Sequence, residues 1–324
     1  MPNIPYHASN FPPHYRVALF GSHNLSVTWS ELVWAAITVG KPGLAHLLVH
    51  GMHSISDMIV RSHMVYANLR QTNSHFEKSA LYEDLDPTEK GASSYFLGMM
   101  AAKIVCSRLL DTPFVFHLSM LKTLGGMPVL RTKSQPDLIG LDRAGNWIVA
   151  EAKGRTNGYS PTAMTKAKSQ TYQLRTINGN FPSLRVCIQA YFSPELNFAV
   201  SDPDGYGEDA KDIVFDLRAA IRDYYSFVLG SSQVARASRK IHGREYQFRA
   251  IEETGISIGV DTATLKRLEQ DGDFQVPFVY EQSQAVVSDD GQETVAFPDG
   301  LAVSLDQRWA ETLMRLDPRA RRGG

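Results

Sequence analysis

Trp147-Ile148-Val149-Ala150 is an apolar run with β-branched members, and Pro136 to Leu141 is a second short one. Apolar runs of this length bounded by turn residues predict strands. Between them, Asp142-Arg143-Ala144-Gly145-Asn146 has the composition of a hairpin turn. A three-residue loop closed by Asp142 and Asn146, with Gly145 in the left-handed region, fixes the register. It places Ile139 opposite Val149, Leu141 opposite Trp147 and Asp137 opposite Glu151. Side chains alternate with period two along a strand, so Asp137, Glu151 and Lys153 share one face of the hairpin.

The same reading extends along the chain. Residues 1–27, rich in Pro, His and Asn, read as irregular, and Thr28 to about Gln71 as two or three helices broken at Gly40–Gly43 and near Gly51. Asp86-Pro87-Thr88-Glu89 marks a helix start, with an N-cap acid, Pro at the first position and Glu closing a capping box. That helix runs to about Leu110 and is apolar nearly all round, with Gly91 and Gly98 inside, a pattern of buried helices. Phe114 to Leu124 reads as further helix and Met127 to Thr132 as a short strand. Ser160-Pro161 begins another helix ended by Asn178-Gly179, with Met164, Ala167, Thr171 and Leu174 as its packing stripe and Lys166, Gln170 and Gln173 on another face. Ser183 to Phe192 reads as a strand buried on both sides, and Lys211 to Leu229 as an amphipathic helix. After a small, polar linker at Gly230–Ser238, strands are predicted at Tyr246–Ile251 and Ile256–Val260, a helix at Thr262–Glu269, and two strands around a turn over Gln284–Ser304. The expected fold class is mixed α/β, a central mixed sheet flanked by helices. It divides into a mostly helical region at 1–85, a core at 86–230 and an accessory α/β region at 231–324.

Composition narrows the setting. The chain has 324 residues, 43% hydrophobic and 21% charged, ordinary for a globular protein. Cys106 and Cys187 form no framework or CxxC motif, which fits a reducing cytoplasm. No apolar run reaches the length of a membrane span, and the N-terminus lacks the features of a signal peptide. The net charge of −1 carries no global basic signature, but the local distribution does. From Ala152 to Pro194 there is no acid, against six bases: Lys153, Arg155, Lys166, Lys168, Arg175 and Arg185. An acidic loop follows, Asp202 to Asp216, and then a second basic stretch from Arg236 to Arg249 that reads as a solvated face.

Two carboxylates directly opposite each other repel. A divalent cation between them removes the conflict, and carboxylate oxygens are what Mg²⁺ prefers. The bases just downstream suit a polyanion arriving at that metal. His46, His50 and His53 have helical spacing, but without an HExxH pattern or a Cys partner they read as surface or core histidines.

Pro136-Asp137, a gap of 13 residues and Glu151-Ala152-Lys153 resemble the motif of the PD-(D/E)XK, or restriction-endonuclease-like, nuclease superfamily. The expected helix, three strands, helix and strand around the motif resemble that family's core, over about residues 87–195. The resemblance implies a metal-dependent DNA endonuclease, in which Asp137, Glu151 and the backbone carbonyl of Ala152 hold Mg²⁺, or Mn²⁺ in its place. Lys153 then orients or deprotonates the water and stabilises the transition state, and Gln170 corresponds to a glutamine found on the following helix in some branches. Lys166, Lys168 and Arg175 are the expected nucleic-acid contacts. Glu89 is the nearest candidate for an additional acid on the first helix, and its alternative is the capping box. The family also implies a setting in restriction or defence against foreign DNA, and a homodimer. The flanking regions could bring a protein partner. The rival readings are a non-catalytic nucleic-acid-binding or scaffold protein on a decayed nuclease fold, and a nuclease acting on RNA.

Overall fold

Gly145 sits at φ +83°, and the turn around it closes with Asp142 N donating to Asn146 O over 3.0 Å. The Asp142 carboxylate also accepts from Asn146 N at 2.7 Å. The strands joined by this turn pair with Ile139 opposite Val149 and Leu141 opposite Trp147, the predicted register. The computed structural model describes residues 1–39, 52–121, 135–202, 205, 207–229, 237–252, 254–269, 275–287, 292–307 and 309.

Numbered along the chain, the strands are β1 (Asn3–Ser9), β2 (Gly21–Ser26), β3 (Leu69–Gln71), β4 (Phe76–Lys78), β5 (Phe114–His117), β6 (Leu138–Leu141), β7 (Trp147–Gly154), β8 (Leu174–Ile177), β9 (Leu184–Phe192), β10 (Leu196–Ser201), β11 (Lys211–Ile213), β12 (Ala237–Ile241), β13 (Arg244–Ile251), β14 (Ile256–Asp261), β15 (Gln284–Val287), β16 (Glu293–Ala296) and β17 (Leu301–Leu305). A seven-stranded mixed sheet has the order β2-β1-β10-β9-β7-β6-β5, flanked by helices. β5, β6 and β7 form an antiparallel meander, and the helix Pro161–Thr171 carries the chain over so that β9 runs parallel to β7. β10 returns antiparallel to β9, β1 pairs parallel to β10, and β2 closes that edge.

Three expectations change here. Residues 1–27, expected to be irregular, supply β1 and β2, and the alternation that buries Ile4, Tyr6 and Ala8 is the cause. Phe114 to Leu121, expected to be helical, is β5 followed by one short helical turn, because Phe114 to Phe116 pair with β6 and are buried. Likewise Lys211–Ile213 is a strand, and the amphipathic helix starts only at Leu217. Val214, in the stretch before that helix, is 62% exposed. The strand expected over Met127–Thr132, and His46 and His50, lie outside the described residues.

The helix Pro87–Leu109 begins with the predicted capping box: the Asp86 carboxylate accepts from Thr88 N and Glu89 N, and the Glu89 carboxylate accepts from Asp86 N. It lies on the apolar face of β7 at backbone contact distance. A Cβ on Gly154 would stand 1.6 Å from Ser94 O, and one on Gly98 would stand 2.7 Å from Gly154 N. Only glycine at both positions allows this approach. The strand segment that follows Lys153 is therefore held by main chain rather than by side chains.

The C-terminal strands form a six-stranded antiparallel sheet, β12-β13-β14-β17-β16-β15. It shares a buried core with the first sheet. Trp34 stacks on Phe297 with centroids 4.4 Å apart, and its Nε1 donates to Asp299 at 2.9 Å. Lys103, on the long helix, is wholly buried at the same junction and donates to Pro113 O and Tyr224 Oη. Among the described residues no helix is long and apolar enough to cross a membrane.

Candidate functional site

Asp137 lies one residue before β6 and Glu151 lies on β7, so the hairpin register brings them face to face. They are cross-linked through main chain: Asp137 N donates to Glu151 Oε2 at 2.8 Å, and Ala152 N donates to Asp137 Oδ2 at 3.2 Å. Lys153, two residues along the same strand face, pairs with Glu151 Oε1. Its Nζ also donates to Gln170 Oε1 at 2.7 Å. Gln170 reaches the strand from the helix Pro161–Thr171, and its Nε2 donates to Gln135 O at 3.2 Å, which fixes which end of the amide meets the lysine. Asp137, Glu151, Ala152, Lys153 and Gln170, predicted together, are thus one bonded cluster.

Burial sets its electrostatics. Glu151 is fully buried, and desolvation pushes its carboxyl well above the usual carboxylate range. The facing Asp137 pushes it further in the same direction, while Lys153 opposes both. Cys187, on the neighbouring β9, stands in register with Glu151 and its thiol is pushed up to about 12 by burial and then by that carboxylate.

Among the described residues no group of three or more His, Cys, Asp or Glu side chains could hold a metal. The donors here are two carboxylates and the Ala152 carbonyl. That set suits a hard cation such as Mg²⁺, which keeps several waters and takes few protein oxygens. It does not suit zinc, which takes nitrogen and sulfur. Within the described residues only Oδ2 of the Asp137 carboxylate accepts a hydrogen bond, so an oxygen is left for a cation.

The other predicted residues divide. Lys166 and Lys168 are exposed on the outer face of the glutamine helix, and Lys168 lies 5.7 Å from the centre of the Tyr172 ring. Arg175 forms a two-pronged ion pair with Asp212, which draws that carboxyl well below its usual range. Arg185, counted in the basic stretch, is 7% exposed and donates to Leu174 O at 3.1 Å, so it braces β8. Glu89 closes the capping box, and among the described contacts nothing links it to Asp137 or Glu151.

Tyr95 escaped the sequence reading. It follows Ser94 at the glycine contact, and its phenol is pushed up by burial and then by the charges of Asp137 and Glu151. Its position beside a residue that meets Gly154 is set by tertiary contact, which no local pattern reveals. Gln189 is a second such residue: fully buried, it accepts from Ser160 N at 2.7 Å and donates to Ser160 O at 3.1 Å, pinning the start of the glutamine helix.

No protein-family model, curated protein or solved structure matches the chain.

Proposed function

We propose that this chain is a metal-dependent endonuclease acting on DNA, with a core of the restriction-endonuclease-like type. The observation that carries the reading is the bonded row Asp137–Glu151–Lys153–Gln170 at the end of β7. The order of the surrounding elements supports it: a helix, an antiparallel meander of three strands, a helix, and a strand parallel to the third.

Asp137, Glu151 and the Ala152 carbonyl would hold the cation. When bound, Mg²⁺ or Mn²⁺ supplies Lewis-acid activation of water and of the phosphate. The chain's own groups do the rest. An ammonium has three donors. Lys153 gives one to Glu151 and one to Gln170, which leaves a third for a water or a non-bridging phosphate oxygen. Gln170, tied to Gln135 O, keeps Lys153 from swinging away. The buried Glu151 binds a proton tightly, so a cation held there would compete with that proton and would bind better as the pH rises.

The test is incubation of the protein with plasmid, linear DNA and RNA in Mg²⁺, Mn²⁺ or EDTA. The expected result is cleavage of DNA in either metal, abolished by EDTA and by Asp137→Ala or Lys153→Ala. Cleavage that survives EDTA or those substitutions sinks the metal mechanism. Cleavage confined to RNA reassigns the substrate, and binding without cleavage in any metal leaves a nucleic-acid-binding protein.

A further inference from the structure

The sheet face that carries Glu151 and Lys153 does not end at the glutamine helix. Register runs from Glu151 to Cys187 on β9, Ser201 on β10 and Ser9 on β1, and from Lys153 to Gln189, Ala199 and His7. Paired residues share a face, so β1 and β10 continue the same surface beyond the helix. A cleft of about 600 Å³ opens there, with the sheet as floor and Pro161, Met164, Thr165 and Lys168 as one wall.

Its chemistry is specific. Tyr159 and Tyr191 meet edge to face at 5.8 Å on one side. Asn10, in the left-handed region at φ +63°, donates to Ser201 Oγ at 2.9 Å, and His7 bonds Ser22 Oγ at 3.0 Å. Lys168 stands at the rim, and among the described residues no Asp or Glu lines the cleft. Aromatic faces, amide and hydroxyl donors and acceptors, and a cation without acids fit an unpaired base with its phosphate. The row from Glu151 to Ser9 spans three strand spacings, about 14 Å. That is roughly four nucleotides at stacked spacing, so one strand can reach both places by crossing the helix at Lys166 and Lys168.

We infer that the His7–Asn10–Tyr191–Lys168 cleft holds an unpaired nucleotide of the DNA strand whose backbone lies at the acid pair. This rests on the nuclease reading for the identity of the strand. The test measures binding in EDTA, where no cleavage contributes. The full chain is titrated against fluorescein-labelled oligothymidylate of about 12 nucleotides, within the usual site size for such grooves, and against the matching duplex and an RNA oligomer. Tyr191→Ala and Lys168→Ala are each expected to weaken single-strand DNA affinity about tenfold, and Tyr191→Ala to leave duplex affinity within a factor of about two. Asn10→Ala and Lys168→Glu alter exposed residues and serve if Tyr191→Ala does not fold. A strand substituted with 5-iodouracil is expected to crosslink to Tyr159 or Tyr191 on irradiation. Unchanged single-strand affinity in all four variants overturns the inference, as does crosslinking only elsewhere or groove-dependent binding of RNA alone. The two readings fail separately: an intact protein that never cuts while the groove variants lose binding sinks the nuclease, and a protein that cuts while they bind normally sinks the cleft.

Discussion

Two lysines in this molecule sit beside a buried carboxylate, and they are built for opposite ends. Lys103 is wholly buried; it bonds Pro113 O and Tyr224 Oη, lies 3.8 Å from Asp299, and is 4.5 Å from the centre of the Trp34 ring. Asp299 in turn accepts from Trp34 Nε1, Tyr224 Oη and Leu301 N. Every group in that knot is answered by protein, and it ties the long helix to the C-terminal sheet. Lys153 keeps a side chain 20% exposed over a carboxylate only 1% exposed, with two protein partners for three donors. Burial acts on both: it lowers the Lys103 ammonium to about 8 and raises the Glu151 carboxyl. A pair sealed from solvent holds a fold together, whereas one at an opening has bonding capacity that a ligand can reach.

This contrast can be broken at either end. The largest effect is expected at the knot. Asp299→Ala leaves Trp34 and Tyr224 without their acceptor and Lys103 without its counter-ion, and should cost about 3–5 kcal/mol, read from the urea midpoint. If the cost is under about 1 kcal/mol, this buried knot is not what joins the two sheets. At the site, Lys153→Ala should lower the proposed cleavage about 100- to 1,000-fold, the range for losing one transition-state donor. Its melting temperature should barely move, because Glu151 can take up a proton in place of the lost partner. Comparable stability losses at both lysines would erase the distinction.

The pH dependence sharpens it further. Glu151 titrates higher folded than unfolded, so its stabilising contribution is full below about 4.5 and is lost as pH rises towards about 8. Without divalent cation, the melting temperature should fall across that window. Glu151→Gln should flatten the fall, and Mg²⁺ should reverse it at the upper end for the unaltered protein alone. The smallest effects belong to surface residues. Glu89→Ala should lower the melting temperature by about 2 °C through loss of the cap and leave cleavage unchanged; a large loss of cleavage would instead place Glu89 at the metal. Arg175→Ala should weaken DNA binding little, since Asp212 already occupies that guanidinium.

Legibility followed locality. The hairpin register could be read because turn chemistry between Asp142 and Asn146 is local, and the capping box at Asp86–Glu89 for the same reason. The acid pair followed from the register. The strands at the β2 end of the sheet could not be read: β1 carries Pro5 and His7 among its alternating Ile4, Tyr6 and Ala8, and its partner β10 lies about 190 residues away. The run Phe114–Leu121 is too short for periodicity to separate helix from strand, and pairing with β6 decided it. Charge density also misled in part. Lys166 and Lys168 point outward, but Arg175 and Arg185 are consumed by Asp212 and by backbone carbonyls.

The parallel pairing of β1 with β10 has a consequence for how the protein is made. β1 and β2 can close as a hairpin as soon as they leave the ribosome, since they pair within the first 26 residues. The other edge of β1 must wait for Leu196–Ser201. At about 5–20 residues per second that wait is roughly 10–40 s. Throughout it, the nascent chain presents an open row of peptide groups that another strand could claim. A slower ribosome or a delayed β10 should therefore send more of the newborn protein into aggregates, and circular permutation that brings β10 next to β1 in sequence should spare it.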